Sequence, residues 1–367
     1  LYALNLNNLT MTRLNDPGLP IADASCPEAI AGGTQPNSRH TDDGIEYMPN
    51  VDRMFVFGGS LACPIGTWGN GTWTFNFSTM QWQRMDPVNG TPPIGEAGMM
   101  TAYDPNTGLI FVHDRQYLYT YNYSTNTYTR LPNSYTYGLG YHMAATIDPV
   151  RRQFVIVGYD TSVCGNPPAC TVGAGRVYTY NIGSGSTYQI VERPTTGGSG
   201  IIGDIYPGLD YDPVTNRIIA WNGGNTVYSL NLDTNVWTTQ TFTGGPAASL
   251  NGIHSRWRYS PASGVFVTYN NVDLNGTTLR LTPPTAIFDF SLTNGGNRSV
   301  VQGQSITNTV TATLTSGTAQ SVSFSASGLP AGATYTYAPV ACTPACTTTQ
   351  TITTGPTTPA GSYPITI

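Results

Sequence analysis

Hydrophobic and polar positions alternate along five similar segments of the chain, and each segment carries two large side chains nine or ten residues apart. Alternation with a period of two predicts half-buried strands, so each segment is predicted to form two antiparallel strands joined by a polar turn. Self-similarity at intervals of roughly 40–60 residues indicates repeated supersecondary units. The paired positions are Tyr2/Met11, Trp73/Trp82, Tyr119/Tyr128, Tyr178/Tyr188 and Tyr228/Trp237.

Two further strands are predicted in each unit from a turn formula and the apolar run behind it. The first strand ends at a turn such as YDPNTG or YDPVTNR, where proline presets the backbone and Asp or Asn accepts turn hydrogen bonds. A run such as LIFVHD or RIIAWNGG then predicts a buried second strand. The turns follow Tyr47, Tyr103, Ile147, Tyr211 and Tyr259.

Glycine pairs behind two of the apolar runs make these units resemble the kelch repeat of β-propellers. Gly58-Gly59 and Gly223-Gly224 carry the resemblance, together with the aromatic pairs Trp73/Trp82 and Tyr228/Trp237. The resemblance covers residues 1–284 and implies an all-β ring of five or six four-stranded blades. A ring of five would join the N-terminal strand pair to the C-terminal strands, and we favour it because it leaves no half-blade exposed. A ring of six would need strands upstream of Leu1.

From residue 285 to residue 367 the chain is rich in Thr and Ser and lacks the turn formula. Three stretches resemble the immunoglobulin-like modules of bacterial surface proteins: 327–332 (SGLPAG), 342–346 (CTPAC) and 359–363 (PAGSY). The resemblance implies a β-sandwich that is incomplete at its C-terminus, with an unpaired sheet edge. Either the protein continues beyond Ile367, or a neighbouring copy donates the missing strand and builds a homopolymer.

Charged residues make up 10% of the chain, and the net charge is -5. No basic stripe is present, which argues against a nucleic-acid partner. No apolar run approaches the roughly 18 residues that cross a bilayer. Because Leu1 is not Met, we expect either removal of an export signal or a longer N-terminus. Seven N-glycosylation sequons, which would make this a glycoprotein, are near the number that chance gives with so much Asn, Ser and Thr.

The six cysteines predict three disulfides. Cys164 and Cys170 lie close together in a proline-rich loop, as do Cys342 and Cys346, and neither pair has a nearby histidine. Local disulfides are therefore favoured over zinc ligation. Cys26 and Cys63 remain to pair with each other. Three disulfides indicate an oxidising compartment, so we predict a secreted or cell-surface protein.

The propeller resemblance implies a ligand at the mouth of the central channel, on the face formed by the loops before each first strand and after each second strand. His142 and His254 occupy equivalent positions there, five residues before Ile147 and Tyr259. The alternative is that such residues only hydrogen-bond neighbouring blades and channel water. The ligand-binding candidates before the first strands are Arg39, His40, Glu96, His142, Asp204, Tyr206, His254 and Arg256, joined by Trp68 from a long loop.

These patterns predict an extracellular binding or scaffold protein that acts in adhesion, matrix or filament assembly, or carbohydrate capture. Its partner would be a protein or a carbohydrate at the loop-bearing face, and neither a metal nor a cofactor is predicted. The alternative is a carbohydrate-active enzyme, for example a copper-radical oxidase similar to galactose oxidase. That family draws a histidine ligand from the domain behind its propeller, and residues 285–367 contain no histidine.

Overall fold

The computed structural model divides the chain into two units, Leu1–Leu281 and Thr282–Ile367. Within the part that it describes, no helix is long and apolar enough to cross a membrane. The side chains of Ala31, His142 and Arg176 are outside the description. The described residues are 1–15, 25–88, 90–136, 138–159, 176–249, 252–271, 273–281 and 288–367.

Five antiparallel sheets follow one another along the first unit, and the first strand of each sheet, here called its inner strand, forms one edge. The predicted four-strand unit is confirmed in sheets 1 to 4, and sheet 5 has three strands. In order from the inner edge, the strands are Ile45–Met48, Arg53–Val56, Trp73–Asn76 and Gln81–Arg84 in sheet 1; Met100–Tyr103, Ile110–His113, Leu118–Asn122 and Thr127–Arg130 in sheet 2; His142–Asp148, Gln153–Tyr159, Arg176–Asn181 and Ile190–Pro194 in sheet 3; Gly208–Asp212, Arg217–Trp221, Thr226–Asn231 and Val236–Thr241 in sheet 4; and Trp257–Ser260, Val265–Thr268 and Thr277–Leu279 in sheet 5.

The turns behind the inner strands form for the reason that the sequence gives. Asp148 accepts hydrogen bonds from the backbone N–H groups of Val150 and Arg151, at 3.0 and 2.8 Å. Asp212 likewise accepts from the N–H of Val214 at 3.0 Å. A carboxylate that bonds its own backbone two or three residues on stabilises a tight turn and ends the strand.

The sheets pack face to face through the repeated aromatic and apolar positions. One apolar cluster fills each space between consecutive sheets, from sheets 1 and 2 to sheets 4 and 5. Trp73, Tyr119, Tyr128 and Trp237 from the predicted pairs are all buried. Aromatic side chains bury large apolar areas, so packing between the sheets explains why buried aromatic residues recur at these positions.

The inner strands lie side by side in chain order, and each contacts the inner strand of the next sheet. Asp43 forms a parallel bridge with Met100, which joins the first two inner segments. Arg258 of sheet 5 reaches back to sheet 1, where it donates to the carbonyl of Ile45 at 3.3 Å and to Glu46 Oε1 at 2.7 Å. Inner strands that form a closed ring, with the sheets radiating outward, are the arrangement of a β-propeller.

The N-terminal strands Tyr2–Asn5 and Thr10–Arg13 form a separate two-stranded sheet. This hairpin meets sheet 5 where the N–H of Gly276 donates to the carbonyl of Leu9 at 3.2 Å. Sheet 5 takes its third strand, Thr277–Leu279, from the C-terminal side of the unit and not from the N-terminal pair. The predicted joining of the N-terminal pair with the C-terminal strands in one blade is therefore not seen in the described residues, and the number of blades stays a prediction. Smaller elements are the strands Ala29–Ile30, Gln35–Pro36, Arg39–His40 and Ser60–Leu61, the α-helix Ser199–Ile202, and the 3-10 helices Ala31–Gly33 and His254–Arg256.

The second unit contains a four-stranded and a two-stranded antiparallel sheet. Its apolar cluster includes Val310, Val322, Phe324 and Tyr337. The edge strands of the larger sheet are Asp289–Asn294 and Ala333–Ala338. Addition of a strand from another copy to one of these edges stays a prediction. In spatial order, the larger sheet contains Asp289–Asn294, Ser305–Ser316, Cys346–Thr354 and Ala333–Ala338, and the smaller one contains Val322–Ser323 and Ala341–Cys342.

Two of the three predicted disulfides are confirmed. Cys26 is bonded to Cys63, and Cys342 is bonded to Cys346. The third prediction, Cys164 with Cys170, lies outside the described residues. The first disulfide ties the segment before sheet 1 to the long loop behind the strand Arg53–Val56, and that loop carries Trp68.

Candidate functional site

A cavity of about 380 Å³ opens on the predicted loop-bearing face, and we call it the mouth cavity. Its walls come from the two predicted kinds of loop, namely those before the inner strands and the one behind the strand Arg53–Val56. The volume falls in the range of small-molecule binding sites. The residues that line it are His40, Asp42, Ser60, Trp68, Ala97, Tyr141 and Tyr206.

The backbone has the same conformation at equivalent positions before four of the inner strands. The equivalent position lies five residues before the residue that each turn follows, namely Tyr47, Tyr103, Tyr211 and Tyr259. It is occupied by Asp42, Gly98, Tyr206 and His254, whose φ angles are 52°, 73°, 57° and 48°. Left-handed backbone is uncommon outside glycine and marks places where the fold fixes the conformation strictly. The repeat therefore turns the segments before sheets 1, 2, 4 and 5 into the mouth in the same way.

These equivalent residues also contact one another around the ring. The N–H of Gly98 donates to Asp42 Oδ2 at 2.7 Å, and His254 Nε2 lies 3.8 Å from Asp42 Oδ1. The rings of Tyr206 and His254 are 4.4 Å apart between centroids. Burial raises the pKa of Asp42 above its ordinary value, while the Gly98 N–H and the charge of His40 oppose the rise. The pKa of Tyr206 is raised by burial and by Asp42. Asp42 is thus the central acceptor of the mouth.

Aromatic rings form the exposed part of the mouth. Trp68 is 46% exposed and Tyr141 is 40% exposed. The guanidinium of Arg115 lies over the Tyr141 ring at 3.6 Å from its centroid and pairs with Glu96 at 2.5 Å. Arg115 also donates to the carbonyl of Leu139 at 2.7 Å. This set of contacts fixes Tyr141 at the rim, where its ring can take a flat ligand.

Four charged residues lie on the inner strands or just before them, and we call them the channel cluster: Asp43, Glu46, Asp210 and Arg258. Asp43 and Glu46 are buried, and the Arg258 side chain is 28% exposed. Arg258 Nη2 lies 2.7 Å from Glu46 Oε1 and 3.5 Å from Asp43 Oδ1. Asp43 accepts from the N–H of Ala145 at 2.8 Å, and Asp210 accepts from the N–H of Tyr259 at 2.7 Å. Through these bonds, sheet 1 and the segment before it are connected with sheets 3 and 5, and sheet 4 is connected with sheet 5, which holds the ring together.

Burial controls the protonation of the channel cluster. Burial raises the pKa of Glu46 to about 7; Arg258 opposes this rise and Asp210 adds to it. Burial also raises the pKa of Asp43 well above its ordinary value and raises that of Asp210. Three carboxyl groups facing one guanidinium would otherwise leave excess negative charge in a low-dielectric interior.

Three of the nine predicted residues, His40, Trp68 and Tyr206, line the mouth cavity, and His254 packs directly against Tyr206. Four others are held elsewhere by structural bonds. Arg39 pairs with Glu28 at 2.7 Å, and Arg256 donates to the carbonyl of Gly252 at 2.7 Å. Glu96 pairs with Arg115, and Asp204 accepts from the N–H of Ile205 at 2.9 Å.

For Arg39, Arg256, Glu96 and Asp204, the alternative of a purely structural role fits the geometry better than ligand contact. None of the four is among the described residues that line the mouth cavity. The backbone of His142 pairs with Tyr159 at the start of sheet 3, and its side chain lies outside the description. The equivalence of the His142 and His254 side chains therefore stays a prediction.

Asp42 and Tyr141 also line the mouth cavity. Both lie in the segments before inner strands, which the sequence predicts to converge, and Asp42 is equivalent to His254 in the repeat. Ser60 and Ala97 carry no comparable signal in the sequence. In the described part of the chain, no three His, Cys, Asp or Glu side chains gather closely enough to hold a metal ion.

No protein-family model matches the chain, and no curated protein matches it. Among solved structures, the β-propeller domain of Myceliophteria thermophila Cps50 (Swd1) is similar with 9% identity and a TM-score of 0.37, over 72% of this chain and 68% of that one. An auxiliary nutrient binding protein from Bacteroides thetaiotaomicron gives 11% identity and a TM-score of 0.37, over 65% and 56%. The extracellular domain of a putative one-component system from the same organism gives 12% and 0.34, over 73% and 34%.

The chain thus spans little more than half of the nutrient binding protein and about one third of the one-component system domain. At such low TM-scores these similarities carry no argument about fold or function. The propeller arrangement rests on the ring of inner strands described above.

Proposed function

We propose that this protein is an extracellular binding protein whose mouth cavity captures a neutral carbohydrate. The observation that carries the proposal is the composition of that cavity, in which Trp68, Tyr141 and Tyr206 surround the polar side chains of His40 and Asp42. Such a site suits anchoring a glycan in adhesion or in the assembly of an extracellular matrix.

Sugars offer both kinds of surface that this cavity matches. Their C–H faces are apolar and flat enough to pack on aromatic rings, and their hydroxyl groups form hydrogen bonds with carboxylate and imidazole groups. A mostly aromatic pocket with a few convergent polar groups is the usual form of a small-molecule site. Asp42 and the net charge of -5 disfavour acidic glycans, so the ligand is a neutral one.

The proposed scaffold is a five-bladed propeller of the kelch type, followed by an immunoglobulin-like spacer. The hydrogen bond from Arg258 of sheet 5 to Glu46 of sheet 1 joins the fifth sheet to the first, which supports a ring of five blades. The positive φ angles of Gly58 and Gly59, 73° and 91°, support the kelch assignment, because the double glycine lets the chain turn where His40 approaches closely. The two disulfides support an oxidising, extracellular location.

The test is binding of purified protein to a panel of neutral and acidic glycans, followed by titration calorimetry of the best ligand. Trp68→Ala should weaken binding about tenfold to hundredfold, the loss expected when a central aromatic contact is removed. Tyr47→Ala is the matched control, because Tyr47 is a 50% exposed aromatic near the opposite end of the sheet 1 inner strand. Absence of any neutral glycan ligand, or turnover of the glycan, would contradict the proposal.

A further inference from the structure

A second cavity of about 540 Å³, here called the side cavity, adjoins the mouth cavity at the loop that presents Trp68. Trp68, which is 46% exposed, lines both cavities. The side cavity is lined by residues from the segment before sheet 1 and from the two loops that flank its outer strands. Its principal lining residues are Cys26, Glu28, Trp68, Asn70, Arg84 and Asp86.

Trp68 is held in a rigid element. It forms an antiparallel bridge with Ser60, and the N–H of Leu61 donates to the carbonyl of Thr67 at 2.8 Å. The disulfide between Cys63 and Cys26 ties the tip of this loop to the preceding segment. An aromatic side chain on a fixed backbone loses less conformational entropy on binding than one on a flexible loop, which favours a role as a binding platform.

The charged groups of the side cavity are paired with other groups of the protein. Glu28 accepts from Trp73 Nε1 at 3.1 Å and from the N–H of Asn70 at 3.2 Å, in addition to its ion pair with Arg39. Arg84 pairs with Asp86 at 2.6 Å. The charges are thus paired with one another, so the side cavity presents hydrogen-bonding groups without a free charge that would select an ionic ligand.

We propose that the ligand is a linear neutral oligosaccharide that crosses Trp68, with one part in the mouth cavity and the next part in the side cavity. This inference rests on the proposed function and extends it from the class of ligand to its length. Two adjoining cavities that share one aromatic platform fit a chain of sugar units. A single sugar would use the mouth cavity alone.

The test is calorimetric titration with oligomers of one to six units from three neutral series: β-linked glucose, β-linked N-acetylglucosamine and β-linked mannose. In the series that binds, affinity should rise at least tenfold between two and about five units and then level off. Trp68→Ala should remove most of this gain with length. Equal affinity for one unit and for six would overturn the inference and leave capture of a small sugar by the mouth cavity intact.

Arg84→Ala separates the two cavities, because Arg84 lines the side cavity and does not belong to the mouth. It should lower the affinity for the longest oligomers at least threefold and leave that for the shortest unchanged. Arg130→Ala is the matched control, since Arg130 also ends the outer strand of its sheet and also lies over an aromatic ring. Equal effects of Arg84→Ala on short and long oligomers would contradict a role of the side cavity. Failure of every neutral oligomer to bind would instead contradict the proposed function itself.

Discussion

Replacing Glu46 with glutamine should change how the stability of the propeller depends on pH. Glu46 is buried in the channel cluster, where it accepts a hydrogen bond from Arg258 at 2.7 Å. Glutamine has nearly the same shape and keeps an oxygen that can accept this bond, but it does not titrate. The substitution therefore removes one ionisable group with little change in packing.

The direction in which stability changes with pH follows from the raised pKa of Glu46. Burial raises the pKa of Glu46 from 4.5 to about 7 in the folded protein, so the folded state holds a proton that the unfolded chain loses at lower pH. Between these two values the folded state binds more protons, and its stability falls as pH rises. At about 1.4 kcal/mol for each unit of pKa, the wild-type protein should lose up to about 3 kcal/mol over this range.

The assay is denaturant unfolding at pH 4 and pH 8, followed by tryptophan fluorescence. All six tryptophans lie in residues 1–281, so the signal reports on the first unit. The Glu46→Gln variant should gain up to about 3 kcal/mol at pH 8 relative to its change at pH 4. Glu192→Gln, at an exposed position on the strand Ile190–Pro194, should show no such difference. Parallel pH profiles of stability for wild type and Glu46→Gln would show that the pKa of Glu46 is not raised by folding.

Two further predictions concern the mouth. Replacing both cysteines of the Cys26–Cys63 disulfide with serine should weaken glycan binding several-fold, because the Trp68 loop is then no longer bonded to the preceding segment. The same change in the Cys342–Cys346 disulfide should leave binding unchanged. Equal calorimetric affinities of the two variants would contradict a role of the first disulfide in binding. Gly98→Ala should destabilise the first unit by about 2 kcal/mol more than Gly185→Ala. Both glycines have φ near +73°, but an added Cβ at Gly98 meets neighbouring backbone at 2.7 Å and one at Gly185 meets nothing; similar unfolding midpoints would show that this contact is tolerated.

Much of the fold follows from local chemistry that the sequence displays directly. The turn formula and the aromatic pairs repeat because each sheet must end its inner strand in the same way and pack on the next sheet. Asp148 and Asp212 bond their own turns, and Tyr128 and Trp237 are buried as the alternation predicted. Such signals depend on neighbours in the chain, so they can be read without coordinates.

The site was less predictable because its chemistry depends on contacts between distant segments. Arg39 and Arg256 lie before inner strands as predicted, yet Arg39 pairs with Glu28 and Arg256 donates to the carbonyl of Gly252. Neither arginine lines the mouth cavity, and aromatic rings form its exposed part. Glu46 and Arg258 occupy strand positions where a charge normally indicates solvent. Their pairing follows from ring closure, which brings together residues more than two hundred positions apart.

Capture of a sugar chain across Trp68 is tested most directly by a crystal structure of the complex with the longest neutral oligosaccharide that binds. We expect consecutive sugar rings that pack on Trp68, with one end of the oligosaccharide beside Asp42 and Tyr206 and the other beside Arg84. An oligosaccharide bound away from Trp68, or bound only to the second unit, would contradict it.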